Sequence, residues 1–252
     1  MANENPVQNN YDKQADAYSQ FLQTPLGTLE KELFDLSITN CDSLKVLDLG
    51  GGTGLRARDA LKAGAVAVDV VDISWEMMRH GQEYEKSIGR DCINWYQGDI
   101  SKSLDHLSLG PYDMVIANGI FEHAHNIEEL EAMWYNAAAY LKPGGRLVYN
   151  RNNPRSPAAT DGKYGVIFTD FQNFPGGLAF RYNVPTDPPL EFDLTVLEAH
   201  SSGSLEIPGM YFDNFQNVPW EKTPVVKADP GFWRMYLDEP ILYISTARRM
   251  SN

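Results

Sequence analysis

Cysteine is scarce in this chain: Cys41 and Cys92 are the two it holds in 252 residues. Two thiols are too few for a disulfide framework, and their spacing matches no metal-ligand pattern, so no metal is expected. Long apolar runs are missing as well, and no stretch approaches the ~20 residues that a membrane-spanning helix needs. The opening MANENPVQNN has no apolar block of the kind a secretory leader carries. Basic residues are outnumbered, 21 Lys and Arg against 34 Asp and Glu, for a formal charge of −13. A surface of that sign repels phosphate backbones, which argues against nucleic acid as a partner. Together these absences point to a soluble chain with no membrane partner in a reducing compartment, most simply the cytoplasm.

What is present suits one folded unit over 1–252, since 43% of residues are hydrophobic and 12% aromatic. Residues 1–40 hold helical periodicity interrupted at Pro25. Residues 41–151 then alternate strand and helix text: LKVLDLGGGTG, LRARDALKAG, AVAVDVVDIS, SWEMMRHGQEYEKSIG, INWYQGD, YDMVIAN, NIEELEAMWYNAAAYLKPGG and RLVYN. Ser74 caps the helix that should place Met77, Tyr84 and Ile88 on one face. Asn126, with Glu129 three residues on, caps the clearest helix, whose stripe is Ile127, Leu130, Trp134, Ala137 and Leu141. Strands this apolar, alternating with helices, make a parallel sheet covered on both faces, which binds ligands beyond its strands' carboxyl ends. Residues 152–190 turn to Pro, Gly, Asn and aromatics and read as a hairpin-like insertion over a pocket. Within 191–252, FDLTVLEAH and PILYISTARR are expected to return to the sheet as an antiparallel pair, and Pro208, Gly209 and Pro219 between them exclude a long helix.

The strongest motif is Asp48-x-Gly50-x-Gly52-x-Gly54, between a strand and a helix. Glycines let the backbone turn sharply and approach a ligand, and a helix N-terminus offers unpaired N–H groups. A dinucleotide fingerprint would place its third glycine at position 55, which is Leu55, and no Lys-Ser/Thr follows for a phosphate loop.

These residues resemble the class I S-adenosylmethionine-dependent methyltransferases. The resemblance covers roughly residues 11–151. It implies a Rossmann-like α/β fold: a mostly parallel seven-stranded sheet with an antiparallel terminal strand and a lid-like insertion. It also implies a role for each motif residue. The glycine turn holds the methionine moiety, Asp72 bonds the ribose hydroxyls, and Asp99 beside Gly98 reads the adenine amino group. Ile73, Met77 and Ile100 sandwich the ring, and Asn118 closes the set at the fourth strand end. The alternative for the three aspartates is service as helix caps. Tyr11 and Tyr18 share a helical face and are either cofactor-covering residues, Tyr18 also a catalytic candidate, or core tyrosines of a docking helix.

A narrower similarity runs through YLKPGGRLVYNRNNP, KYG and FWRMYLDEPILYISTARR, which are similar to toxoflavin-synthase-like N-methyltransferases acting on small heterocyclic metabolites. It implies that Asn150 to Asn153, Asn152 among them, and Tyr164 lie at the substrate mouth, and Phe121 is expected to line the same pocket. Base-flipping relatives carry Asn-Pro-Pro-Tyr at the fourth strand end, whereas this chain has Asn118-Gly119-Ile120-Phe121. In ANGIFEHAHN, His123 is the first candidate base and Glu122 the second. The expected reaction is transfer of a methyl group to nitrogen or oxygen of a small secondary metabolite, leaving S-adenosyl-L-homocysteine. Three alternatives stand: a methyltransferase fold used for other chemistry or for binding, a nicotinamide-dependent oxidoreductase, and a macromolecular methyltransferase. The acceptor and the oligomeric state are not legible.

Overall fold

Proline sets the first boundary of the fold. The computed structural model describes residues 20–187 and 189–251, so Tyr11 and Tyr18 lie outside the described residues. Helix α1 (Pro25–Ser37) starts at Pro25, where a missing N–H costs nothing, and the Thr24 hydroxyl accepts from Gly27 N at 3.0 Å. Its Leu26, Leu29, Leu33 and Phe34 are buried.

The βα text then folds in order: β1 (Lys45–Leu49), α2 (Leu55–Lys62), β2 (Ala67–Asp72), α3 (Trp75–Ser87) and β3 (Ile93–Gln97). It continues with β4 (Tyr112–Ala117), α4 (Ile127–Ala139) and β5 (Leu141–Asn152). Seven strands form one sheet in the order β3-β2-β1-β4-β5-β10-β9, where β9 is Phe212–Asn217 and β10 is Leu242–Arg249. The pairs from β3 through β5 are parallel, and β10 runs antiparallel to both β5 and β9. Successive strand residues face opposite layers. Val46 and Val70 pack with α1 and α2, while Leu47, Leu49 and Val71 pack with Leu130, Met133 and Trp134 of α4. Strand order reverses between β1 and β4, which opens a crevice at their carboxyl ends.

The caps read from the sequence form. Ser74 Oγ accepts from Met77 N at 3.2 Å, and Asn126 Oδ1 accepts from Glu129 N at 2.8 Å. Two helix faces differ from expectation. On α3 Met77 is buried, but Tyr84 and Ile88 are exposed, because Gly81 and Glu85 take the inner face while the Arg58 guanidinium lies over the Tyr84 ring at 4.8 Å. On α4 Ile127 is exposed in the first turn, and Met133 and Ala138 join the buried stripe.

After β5 the chain leaves the large sheet. It runs through α5 (Pro157–Asp161), β6 (Ile167–Phe174), β7 (Gly177–Val184), β8 (Leu190–Leu197) and α6 (Glu198–Ser201). The text FDLTVLEAH, expected to pair with the last strand, instead supplies β8 of a separate antiparallel sheet, β6-β7-β8. Pairing with the strand just upstream needs only a short turn, and that local solution wins. The insertion therefore extends past residue 190. The partner of β10 is β9, drawn from the proline-bounded FDNFQN. Two short helices, α7 (Pro224–Ala228) and α8 (Pro230–Asp238), follow it, each starting at a proline, so no long helix forms there.

Candidate active site

The glycine turn leaves β1 at the strand-order reversal and borders a cavity of about 650 Å³. Gly50 has φ +69°, and a Cβ there would stand 2.2 Å from Ile120 Cγ2, so glycine is required on both counts. Gly54, assigned above to the cofactor, does not line this cavity. It caps α2 at φ +76° and packs against Trp95, which would be 2.5 Å from a Cβ. The other described residues assigned to the cofactor converge on the cavity from four strand ends. Asp48, Gly50 and Gly52 come from β1 and its turn; Asp72, Ile73 and Met77 from the end of β2; and Gly98, Asp99 and Ile100 from beyond β3, with Asn118 after β4.

The carboxylates here do different work. Asp72 Oδ2 accepts from Gly52 N at 2.8 Å and its Oδ1 from Ser74 N at 2.7 Å, so one side chain pins both the glycine turn and the start of α3. Asp99 Oδ1 accepts from the Ser101 N–H at 2.9 Å and hydroxyl at 2.7 Å. Asp48 is buried, with no hydrogen-bond partner at Oδ2 among the described residues, and burial pushes its carboxyl up to about 7 against the pull of Arg56. Asn118 Oδ1 is a second buried acceptor left without a partner among the described residues.

S-adenosylmethionine fits this donor set. The orphaned acceptor at Asp48 suits its ammonium, the carboxylate of Asp72 suits a diol, and Ile73, Met77 and Ile100 offer an apolar slot for a ring. No Lys-bearing phosphate cradle is present in the turn, and the cofactor has no phosphate.

A raised carboxyl also fixes a pH dependence. The native state favours protonated Asp48, so its stabilising contribution is complete below the ordinary carboxylate range and is lost as pH rises through about 7. In urea titrations without cofactor, Asp48→Asn is expected to raise the unfolding free energy at pH 8 by on the order of 1 kcal/mol and to change little at pH 4. Equal effects at both pH values would refute the shift.

A second cavity of about 110 Å³ adjoins the first, and Asn118, Gly119 and His123 border both. Its walls come from Phe21, from β8 through Leu190, Phe192 and Leu194, and from Tyr182 of β7. Glu122, Asn150 and Asn152 line it as well. Glu122 is buried, and its Oε1 accepts from Asn150 Nδ2 at 3.1 Å, Asn152 N at 3.2 Å and Asn152 Nδ2 at 3.1 Å. Asn150 Oδ1 in turn accepts from Gly119 N, which fixes the wall between the cavities. His200 of α6 places Nε2 3.8 Å from Glu122 Oε1. Burial would raise the Glu122 carboxyl, but His200, its own backbone N–H and His123 together outweigh burial and hold it below the usual carboxylate range. For His123, burial dominates the opposing charge of Glu122 and lowers its pKa, favouring the neutral imidazole.

Two expected substrate contacts are core residues instead. Phe121 has no exposed surface and stacks on Trp134 with ring centroids 4.0 Å apart, because the 3₁₀ turn Phe121–His123 points alternate side chains inward and toward the cavities. Tyr164 is equally buried and stacks on Trp233 at 5.1 Å; its hydroxyl donates to Phe232 O at 3.1 Å and accepts from Tyr236 N at 3.2 Å. His125 is exposed, with Nδ1 3.1 Å from Glu129 Oε2.

Sequence reading missed Glu30, Arg56 and His200. Arg56 Nη2 donates to Glu30 Oε1 at 2.6 Å, Asn118 Nδ2 donates to the same oxygen at 3.1 Å, and the guanidinium lies over Phe34 at 4.4 Å. One signal existed: Glu30 follows Leu29 on the apolar side of α1, where an unpaired charge is not tolerated.

Comparison with known proteins adds a family. Residues 47–147 match the family described as "Methyltransferase domain". The squalestatin tetraketide synthase clz2 of Cochliobolus lunatus is 31% identical over 126 residues, covering 46% of this chain and 5% of that synthase. The chain thus spans a small fraction of the curated relatives it matches. Among solved structures, the CcbJ methyltransferase from Streptomyces caelestis superposes with a TM-score of 0.61 at 18% identity, covering 88% of this chain and 89% of that one. The Burkholderia thailandensis 1,6-didemethyltoxoflavin-N1-methyltransferase, with bound 1,6-didemethyltoxoflavin and S-adenosylhomocysteine, gives 0.54 at 16% identity, covering 96% and 84%. The glycine turn, the acids at successive strand ends, the sheet order and the family match agree: residues 47–147 match a methyltransferase domain, and the chain has the class I fold of S-adenosylmethionine-dependent methyltransferases.

Proposed function

We propose that the chain methylates a small molecule, on nitrogen or oxygen, with S-adenosylmethionine as donor. One observation carries the reading: a large cavity suited to the donor and a small one suited to an acceptor meet at Asn118, Gly119 and His123. The toxoflavin-type enzyme, whose structure contains a small heterocycle, supports the same acceptor class.

The bound cofactor supplies a methyl group already activated on a sulfonium, so the protein's contribution is alignment, exclusion of water and proton handling. Asp72 holds the glycine turn in shape through Gly52 N. Phe192 and Leu194 of β8 and Tyr182 of β7 close the small cavity against water. His123, whose burial favours the neutral imidazole, stands at the junction as the group to take a proton from the acceptor. Glu122, the second candidate base, serves in this reading as the fixed charge of the acceptor cavity, since its Oε1 already accepts three bonds.

No described helix is long and apolar enough to cross a membrane. Free thiols at buried Cys41 and exposed Cys92 support placing the reaction in the reducing cytoplasm. The test is incubation with the donor and a panel of small metabolites, read by mass for the gain of one methyl group and for S-adenosylhomocysteine. Donor binding without methylation of any panel member would favour the binding-module alternative.

A further inference from the structure

The polar atoms of the small cavity are unbalanced. Two carboxylates line it, Glu30 paired with Arg56 at 2.6 Å behind the wall and Glu122 with no Lys or Arg beside it, and no Lys or Arg lines the cavity among the described residues. Two of its buried acceptors, Glu122 Oε2 and Asn118 Oδ1, have no hydrogen-bond partner among the described residues. A buried carboxylate oxygen without a donor costs about 1–3 kcal/mol or more, so a site that keeps one is built for a ligand that brings the donor. Phe21, Tyr182 and Phe192 supply aromatic walls. The volume of about 110 Å³ is close to the ~150 Å³ known to admit a benzene ring.

We infer that the small cavity is an anchoring site for a planar nitrogen group bearing N–H donors, neutral or cationic, which docks on Glu122 Oε2 and Asn118 Oδ1 between aromatic walls. This rests on the methyltransferase reading and narrows its acceptor to a nitrogen compound. Glu30 is already paired with Arg56, so Glu122 is the carboxylate an anionic acceptor, carboxylate or phenolate, would meet, and like charges in a desolvated site repel. Glu122 is suited to the task because Asn150, Asn152 and His200 fix it from one side and leave the other oxygen for the ligand. A preorganised charge of this kind gives orientation as well as affinity.

The experiment uses the full chain saturated with S-adenosylhomocysteine and two single-ring probes of equal size, benzamidine and benzoate, with affinities read by ligand-observed NMR. Benzamidine is expected to bind at least tenfold more tightly than benzoate. Glu122→Gln should shrink that ratio to within about twofold while S-adenosylhomocysteine affinity holds. Phe192→Trp, which keeps every charge but fills the cavity, should abolish benzamidine binding, and it carries the test alone if Glu122→Gln does not fold. Benzoate binding as tightly as benzamidine overturns the inference. So does a ratio that survives both substitutions, since benzamidine then sits elsewhere on the acidic surface. Failure of S-adenosylhomocysteine itself to bind would instead overturn the methyltransferase reading, a separate result.

Discussion

Replacing Asp72 with alanine should weaken S-adenosylhomocysteine binding at least 100-fold, about 2.7 kcal/mol. The effect has two sources that add. The carboxylate accepts from Gly52 N and Ser74 N, so its loss loosens the glycine turn and uncaps the start of α3 together. It also removes the acid that the ribose hydroxyls of the cofactor would meet at the end of β2. Asp72→Asn keeps the shape but loses the charge and should fall between the two. Isothermal titration supplies the measurement, and thermal unfolding of each variant checks that the chain remains folded. Unchanged affinity in Asp72→Ala would remove this residue from the cofactor site.

His123→Ala should lower kcat by about 10²–10⁴, the range of a positioned general base, with S-adenosylhomocysteine affinity within about twofold of the parent. The pH profile separates a chemical role from a structural one. Burial lowers the His123 pKa, so the neutral, proton-accepting form persists below the ordinary imidazole value. Activity should therefore fall on the acid side only below about pH 6.5, and the alanine variant should lose that limb. If kcat and the acid limb both survive, His123 is not the base.

Local chemistry made most of the large sheet legible. Ser74 and Asn126 announce helix starts in adjacent residues, and their caps form where the residue types place them; Pro25, read as interrupting a helix, instead begins one, capped by Thr24. The glycine turn and its three acids were equally readable, because each sits at a strand end and strand ends of a parallel sheet converge. Pairing across distance was not readable. FDLTVLEAH and FDNFQN are both strands, and nothing in either says which one borders β10; loop length and the neighbouring β7 decide. The aromatics misled for the same reason. Phe121 and Tyr164 stand beside polar residues in sequence, yet each finds a buried ring partner far along the chain, Trp134 or Trp233, that no local pattern discloses. His200 was invisible too, because its partner Glu122 lies on another element.

The two cavities differ in the provenance of their walls. Every described residue bordering the larger one falls between Asp48 and Met133, inside the 47–147 stretch that matches the methyltransferase family. The smaller one is assembled from Phe21, β5, β7, β8 and β10, most of it outside that stretch. On the proposed function, methyl-donor binding would belong to the matched core and acceptor choice to the segments outside it. If the small cavity takes the acceptor as proposed, substitutions on β7 and β8 would change the acceptor and leave the large cavity's walls intact, which would make this inserted sheet the unit for directed evolution of substrate range.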